Sequence, residues 1–412
     1  MRILAVLVIA AACGGSSAKA PAHSASGASE PSSTEPSPPA EEAKPPAKPV
    51  AFPAPPEGPP PKGTWRVTVE FPHLQARATG ITVDPSGIYI AGAVLTAEDF
   101  RSRRWAIAKL DGNGAIAWSG FDELPRSPAP ERIVLVNGAV LAAGQDGPEE
   151  ASRLLMISRY EASSGKRTWQ RRFSARDPKC LQPACGGKDT FGGMVVRGAS
   201  ILFSGTGDHP VEEAYGELSL AKGAPTKSYT TRTDIRAHDI AVDDGGIYLL
   251  EDNLSNQFSL VKLAAEKTVW KQSITNGAMR VAIGAGGVLL WGKTIEKRAA
   301  DTGEVAWTSK LTGGRIDVAV DASGLYAAVM IDEKPAPYFA LAKIDPANGN
   351  VQWLRKINNA EISVYVATDK DWLYVFGSEG DKWFIERRRK SDGALGEVPT
   401  TARTIDKKAK RK

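Results

Sequence analysis

The chain has 412 residues, 42% of them hydrophobic and 24% charged, enough apolar content for a large core and inconsistent with a wholly disordered or fibrous chain. Lys and Arg total 52 against 47 acids, a formal net charge of +5, and the basic run from Lys407 to Lys412 accounts for that excess. The remainder is balanced, so the composition excludes a strongly basic nucleic-acid binder.

Residues 1–12 carry one cation, Arg2, then an apolar run from Ile3 to Ile9 and three alanines before Cys13. The run is far below the roughly 20 residues of a spanning helix and reads as an export signal. Ala10-Ala11-Ala12-Cys13 resembles a bacterial lipobox, with Ala10 where Leu is usual. The resemblance implies a lipoprotein signal peptide at 1–12 and lipidation of Cys13; Gly14 in place of Asp implies outer-membrane sorting. An ordinary secretion signal with an incidental cysteine is the alternative. Residues 13–62 form a tether: half of the chain's 28 prolines lie there, among Ala, Ser, Glu and Lys, and such a segment lacks the apolar area to fold.

Residues 63–405 form the folded part. The segment 63–71, GTWRVTVEF, reads as a strand standing ahead of the first repeat. Seven hairpins follow, at 81–92, 133–144, 194–205, 240–250, 281–292, 318–329 and 364–377, each with apolar runs flanking a short turn such as Pro-Ser-Gly or Asn-Gly. Between them recurs a second pattern: an apolar strand, a Gly turn, and Trp four residues later. Gly114 precedes Trp118, Gly165 Trp169, Gly303 Trp307, and Gly349 Trp353. Trp270 and Trp65 fit the same series, with Tyr229 where one Trp is missing. The period, roughly 40–60 residues, is propeller-blade length. A fixed offset from the turn puts each indole on one face of an outer strand, where it fills the wedge between blades. These residues are therefore the expected blade-docking set, structural in role. The last unit has the Gly393 turn but Glu397 in the Trp position, so Trp65 and its strand are expected to complete the seventh blade and close the ring. The fold class is all-β, a seven-bladed β-propeller. Eight blades follow if 174–193 hides strands. Residues 406–412 read as a basic disordered tail.

Asp345 to Trp353, Asp-Pro-Ala-Asn-Gly-Asn-Val-Gln-Trp, resembles the tryptophan-docking repeat of the quinoprotein (PQQ-like) β-propeller superfamily, and Glu161 to Trp169 keeps its spacing. Quinoprotein dehydrogenases of that superfamily bind pyrroloquinoline quinone with Ca²⁺ at the funnel centre and typically have eight blades. The adjacent cysteines of the methanol-type enzymes do not occur here. Non-enzymatic lipoprotein propellers of the superfamily act as scaffolds, and the signal and tether match that type.

Cys180 and Cys185, in an exported chain and four residues apart, are expected to form a disulfide that staples a loop. Asp84, Asp243-Asp244 and Asp321 read as turn residues, because a Ca²⁺ site needs six or more converging oxygens. Arg387-Arg388-Arg389-Lys390 and Arg101, Arg103 and Arg104 read either as positive patches or as exposed positions alternating around a buried stripe. Trp105, Trp291, Trp372 and Trp383 lie outside the docking series; they read as core, or as rings for a glycan. His238-Asp239 precedes an inner strand and is a minor candidate for the channel mouth.

No catalytic, metal-binding or cofactor-binding residues are assigned. The chain reads as an outer-membrane-anchored lipoprotein propeller, monomeric and not an enzyme, that binds or scaffolds a protein partner in the cell envelope. It touches the membrane through its lipid anchor and binds no nucleic acid. A quinoprotein-like oxidoreductase and a glycan- or peptidoglycan-binding module are the alternatives.

Overall fold

The computed structural model describes residues 63–396 and 401–404, apart from 72–73, 97–98, 123–129, 147–152, 175–188, 209–210 and 254. Cys13, the tether, the pair Cys180 and Cys185, and the basic tail lie outside the described residues.

The chain is a seven-bladed β-propeller, with seven sheets among the described residues. Six blades are four-stranded meanders in simple chain order: residues 74–122, 130–173, 190–233, 235–274, 280–312 and 314–357, numbered blades 1 to 6. Blade 7 takes its three inner strands from 364–389 and its fourth from the other end of the chain. There Trp65–Glu70 lies antiparallel to Lys382–Arg389, with Trp65 opposite Arg387 and Val69 opposite Trp383. The ring is thus closed by an N-terminal strand. Thr401–Thr404 adds a fifth strand, parallel to the closing strand, which the sequence did not announce. The Gly393 turn of the last unit is therefore not followed by an outer strand of its own; the closing strand occupies that place.

Strand patterns follow from position. The second strands are sandwiched between neighbouring blades on both faces, so they read as continuous apolar runs: Ala139–Asp146 is buried throughout. Outer strands have one wet face and alternate, as Val305–Thr312 does.

Between blades the indoles take the expected places. Trp65 lies against Gly114 of blade 1, Trp118 against Gly165 of blade 2, and Trp169 against Gly223 of blade 3. Trp270 lies against Gly303, Trp307 against Gly349, and Trp353 against Gly393, so each ring covers the turn glycine of the next blade. Indole Nε1 donates to a carbonyl just ahead of that glycine: Trp65 to Gly112 (3.1 Å), Trp118 to Ala162 (3.0 Å), Trp169 to Leu220 (3.3 Å) and Trp307 to Pro346 (3.1 Å). Trp270 has no such bond; Ala300 O, in the corresponding place, accepts from Tyr248 Oη (3.2 Å) and Lys262 Nζ (2.8 Å). Removing one buried ring of this size costs about 3–5 kcal/mol.

The seam between blades 3 and 4 is the exception. Tyr229 stands in the Trp position, its side chain outside the described residues, and blade 4 also lacks the receiving glycine. Its turn is Ala265-Glu266, both with positive φ (46° and 66°). Ring and receptor are lost together, and a cavity of about 250 Å³ lies at this seam, lined by Tyr215, Leu263 and Glu266 among others.

A second repeated contact was not read from the sequence. Tyr89, Tyr248 and Tyr326 begin the second strands of their blades, and each faces a lysine from the third strand (Lys109 at 5.1 Å, Lys262 at 5.2 Å, Lys343 at 5.8 Å). On the other side each meets its blade's own docking indole, Trp118, Trp270 or Trp353, at 6.1, 5.9 and 6.4 Å between ring centroids. These tyrosines extend the apolar wedge towards the turns.

The docking geometry is testable with two glycines that share a left-handed backbone. A Cβ at Gly349 (φ +75°) would stand 2.6 Å from Trp307, whereas one at Gly138 (φ +69°) meets nothing within 4 Å. Gly138→Ala is expected to cost the conformational penalty alone, about 1–2 kcal/mol. Gly349→Ala adds steric conflict with the ring, about 1–3 kcal/mol more. Urea unfolding of the two variants measures the difference, and equal losses would mean that the ring does not bear on the turn.

Candidate functional site at the channel mouth

A four-stranded meander puts its first and third turns on one face of the ring. The connections between second and third strands, and between blades, lie on the other. The first face is closed by short turns whose aspartates are used locally. Asp84 Oδ1 accepts from Ser86 N (2.8 Å), Asp243 Oδ1 from Gly245 N (2.8 Å), and Asp321 Oδ1 from Ser323 N (2.7 Å). Their second oxygens serve neighbours: Asp243 accepts from Tyr248 Oη (2.9 Å), and Asp321 from Thr368 Oγ1 (2.8 Å) and from Lys390. Burial would raise the Asp321 carboxyl, but the donors from Lys390, Ser323 and Thr368 outweigh it and hold it at about 2. These are turn residues, as their positions suggest.

The opposite face carries the mouth of the central channel. Five inner strands are irregular at one level: the register shifts past Thr79, Glu131, Gly192, His238 and the pair Arg315-Ile316. A bulge re-aims side chains out of the pleat, and here it does so ring-wide. Two adjoining cavities of about 340 and 380 Å³ open at this level and share Arg77, Thr79, Glu131, Arg280 and Tyr365. The first also takes in Arg132, Arg315 and Asp317. Four guanidinium groups from four blades therefore converge at the mouth.

The carboxylates there work as ties between blades. Asp239 of blade 4 accepts from Ile240 N (3.0 Å), from Val281 N of blade 5 (3.0 Å), and from Arg132 of blade 2. Arg132 reaches past blade 3 because that blade presents Gly192-Gly193, and a Cβ on Gly193 would stand 2.0 Å from Asp239 Oδ1. Burial disfavours the Arg132 cation, yet Asp239 more than compensates and raises its pKa. Asp317 Oδ2 accepts from Val366 N of blade 7 (2.9 Å). Burial dominates at this carboxyl, over Val366 N and the pull of Arg132 and Arg280, and lifts it to about 6. Glu131, bonded to Gln145 Nε2 (2.9 Å), is likewise raised by burial against Arg280 and Arg132.

Arg280 is the counterpart. Its guanidinium donates to Gly192 O (3.1 Å), and it has no ion pair among the described residues. Burial, with repulsion from Arg132, lowers its pKa against the attraction of Asp239 and Glu131. Arg315 donates to Ile362 O. Four guanidinium groups against the carboxyls of Glu131, Asp239 and Asp317 leave the mouth positive.

His238, at its bulge, turns onto Phe258 of its own blade (5.0 Å, stacked), and its Nε2 stands 3.1 Å from Asp252 without hydrogen-bond geometry. Burial lowers its pKa in spite of Asp252. It does not line the mouth.

The basic run near the C-terminal end is neither an open patch nor a solvated stripe. Arg388 is buried on Glu386 (2.7 Å), Arg389 pairs with Asp392, and Lys390 is buried on Asp321. Arg387 lies over Trp65 (5.5 Å) and Trp372 (4.6 Å) and donates to Gly63 O and Gly112 O, stitching the closing strand to blade 1. Trp105, Trp291 and Trp383 are buried, and Trp372 is covered by Arg387, so these four rings form no platform for a sugar. The side chains of Arg101 and Arg103 lie outside the described residues.

Sequence reasoning missed Arg77, Glu131, Arg132, Arg280, Arg315, Asp317 and Tyr365. A signal existed: a charged or polar residue stands just ahead of the first apolar run in most of the hairpins, the third, with Gly192-Gly193, being an exception. Its identity changes from unit to unit, so it does not register as a repeat.

Asp317 supplies a pH test. Between about pH 4 and pH 6 the native carboxyl keeps a proton that the unfolded one, near 3.8, has released, so its contribution to stability falls as pH rises through that window. The full loss is about 3 kcal/mol above it. Asp317→Asn retains an acceptor for Val366 N and removes the titration. Its stability relative to the native chain should therefore rise by about 2–3 kcal/mol between pH 4 and pH 7, read by urea unfolding. A pH-independent difference would show that Asp317 titrates normally.

No family model matches the chain, nor does any curated protein. Among solved structures it is similar to the crystal structure of BamB from Moraxella catarrhalis, at 14% identity and a TM-score of 0.44, over 75% of this chain and 85% of that one. A likeness at this level is one of architecture.

Proposed function

We propose that the chain is a lipid-anchored envelope propeller that binds a protein partner through the face bearing the channel mouth. The observation that carries this reading is the asymmetry of the ring. One face is sealed by short turns with locally satisfied aspartates, while the other gathers four guanidinium groups around an open mouth, and Arg77, Arg280 and Arg315 have no ion pair among the described residues. Export and anchoring rest on the lipobox-like Cys13 and the Pro-rich tether. A binding role is preferred to an enzymatic one because Asp239 and Asp317 are engaged with backbone N–H groups of neighbouring blades.

The quinoprotein-like alternative is supported by the Trp-on-Gly docking, which the chain shares in pattern with that superfamily. Photo-crosslinkers placed at Arg77 on the mouth face and Asn348 on the turn face of the anchored chain separate the readings. A protein partner crosslinked from Arg77 and not from Asn348 is expected. Equal crosslinking from both faces would remove the proposed face. Pyrroloquinoline quinone bound to the purified chain, with dye-linked dehydrogenase activity, would replace the binding role with an enzyme.

A further inference from the structure

The mouth has a chemistry more specific than a protein-binding face. Arg77 is exposed and Arg280 and Arg315 stand nearby, none of them ion-paired among the described residues. Glu131, Asp239 and Asp317, the carboxyls within reach, are engaged by Gln145, Arg132 and backbone N–H groups. Arg280 is half-buried, and a partly desolvated cation outside any ion pair gains from an anion supplied from outside. The second cavity extends the mouth outwards over an apolar floor that includes Ala76, Ala93, Leu95 and Ile362. Met279, beside Arg280, is 46% exposed. Charge and apolar surface are thus contiguous, and the cation comes as guanidinium, whose planar fork suits a carboxylate.

We propose that the channel mouth takes a carboxylate side chain from an acidic, otherwise apolar peptide segment of the partner, held by Arg77, Arg280 and Arg315. The inference rests on the partner-binding reading above and names what that partner presents. Guanidinium groups on separate blades receive the anion, and the adjoining floor accepts its apolar neighbours. Glu131 is the internal competitor for the same cations, which gives the site a signature that a merely structural cluster lacks: neutralising it strengthens binding.

The test uses calorimetry on the full chain with a capped peptide of alternating Glu and Leu, the same peptide with Gln for Glu, and inorganic phosphate. The Glu peptide should bind about tenfold or more tightly than the Gln peptide, in keeping with charge-assisted hydrogen bonds. Arg77→Gln and Arg280→Gln should each lose about tenfold for the Glu peptide, and Glu131→Gln should gain severalfold. Arg77 is exposed, so its variant reports even if Arg280→Gln fails to fold. Equal binding of the two peptides, or an unchanged Arg77→Gln, overturns the proposal. Phosphate binding without peptide binding reassigns the mouth to small free anions and overturns it as well. Crosslinking of a partner that persists undiminished in Arg77→Gln removes the carboxylate anchor and leaves the partner face standing. Peptide binding that follows the pattern above, with no partner crosslinked, does the reverse.

Discussion

A blade of this protein cannot stand alone, because its two faces are apolar and its neighbours are the only cover for them. The contact on which the ring depends is the seating of an indole from one blade on the turn glycine of the next. Glycine is needed twice over, for its left-handed backbone and for the absence of a Cβ where the ring lies at 2.6–2.8 Å in most pairs. Because each ring points forward along the chain, the contact sets both spacing and direction, and Trp65 carries the series from blade 7 onto blade 1. A carbonyl that receives an indole N–H also receives a tyrosine or a lysine, as Ala162 O does from Tyr89 Oη (3.4 Å) and Pro346 O from Lys297 Nζ (3.3 Å), so the apolar wedge ends in a polar cap.

The partners of this contact were legible in the sequence because Gly and Trp recur at one offset within a unit, but their pairing across units, Trp118 on Gly165 and Trp307 on Gly349, was not. Gly165 with Trp169, or Gly349 with Trp353, is a pair that needs no structure to notice. The Tyr-Lys sandwich beside it was less legible: Tyr89 and Lys109 come from different strands, and no local spacing links them. The channel mouth was legible only at His238-Asp239, of which Asp239 is found there and His238 is not. Each unit contributes a different residue, Arg77, Glu131, His238 or Arg280, and only the bulges bring three of these to one level while turning His238 away. The run Arg387 to Lys390 shows the opposite failure. Four adjacent cations suggest a patch, but strand alternation sends Arg388 and Lys390 inward to Glu386 and Asp321, and Arg387 onto two indoles.

The two ends of the channel are built on different electrostatic plans. At the turns, aspartates are pinned by short local hydrogen bonds, and Asp321 is held at about 2. At the mouth, burial makes Glu131 and Asp317 harder to ionise, with Asp317 lifted to about 6. The same residue type is therefore a rigid staple on one face and a titratable element on the other. The difference is burial and the supply of donors, not sequence context, since Asp317 and Asp321 lie on one strand.

The closing strand has a consequence for how the molecule is made. Arg66 of the first strand pairs with Glu386, which is 320 positions later. Blades 1 to 6 pair strands from consecutive residues, whereas the first strand has no sheet partner until the residues of the last blade are in place. Until then blade 7 has an open edge and blade 1 an uncovered Gly114 turn, so the ring cannot lock prematurely. Completion of the fold is a proofreading step on chain length: a truncated product never acquires its seam and remains recognisable by its exposed edge.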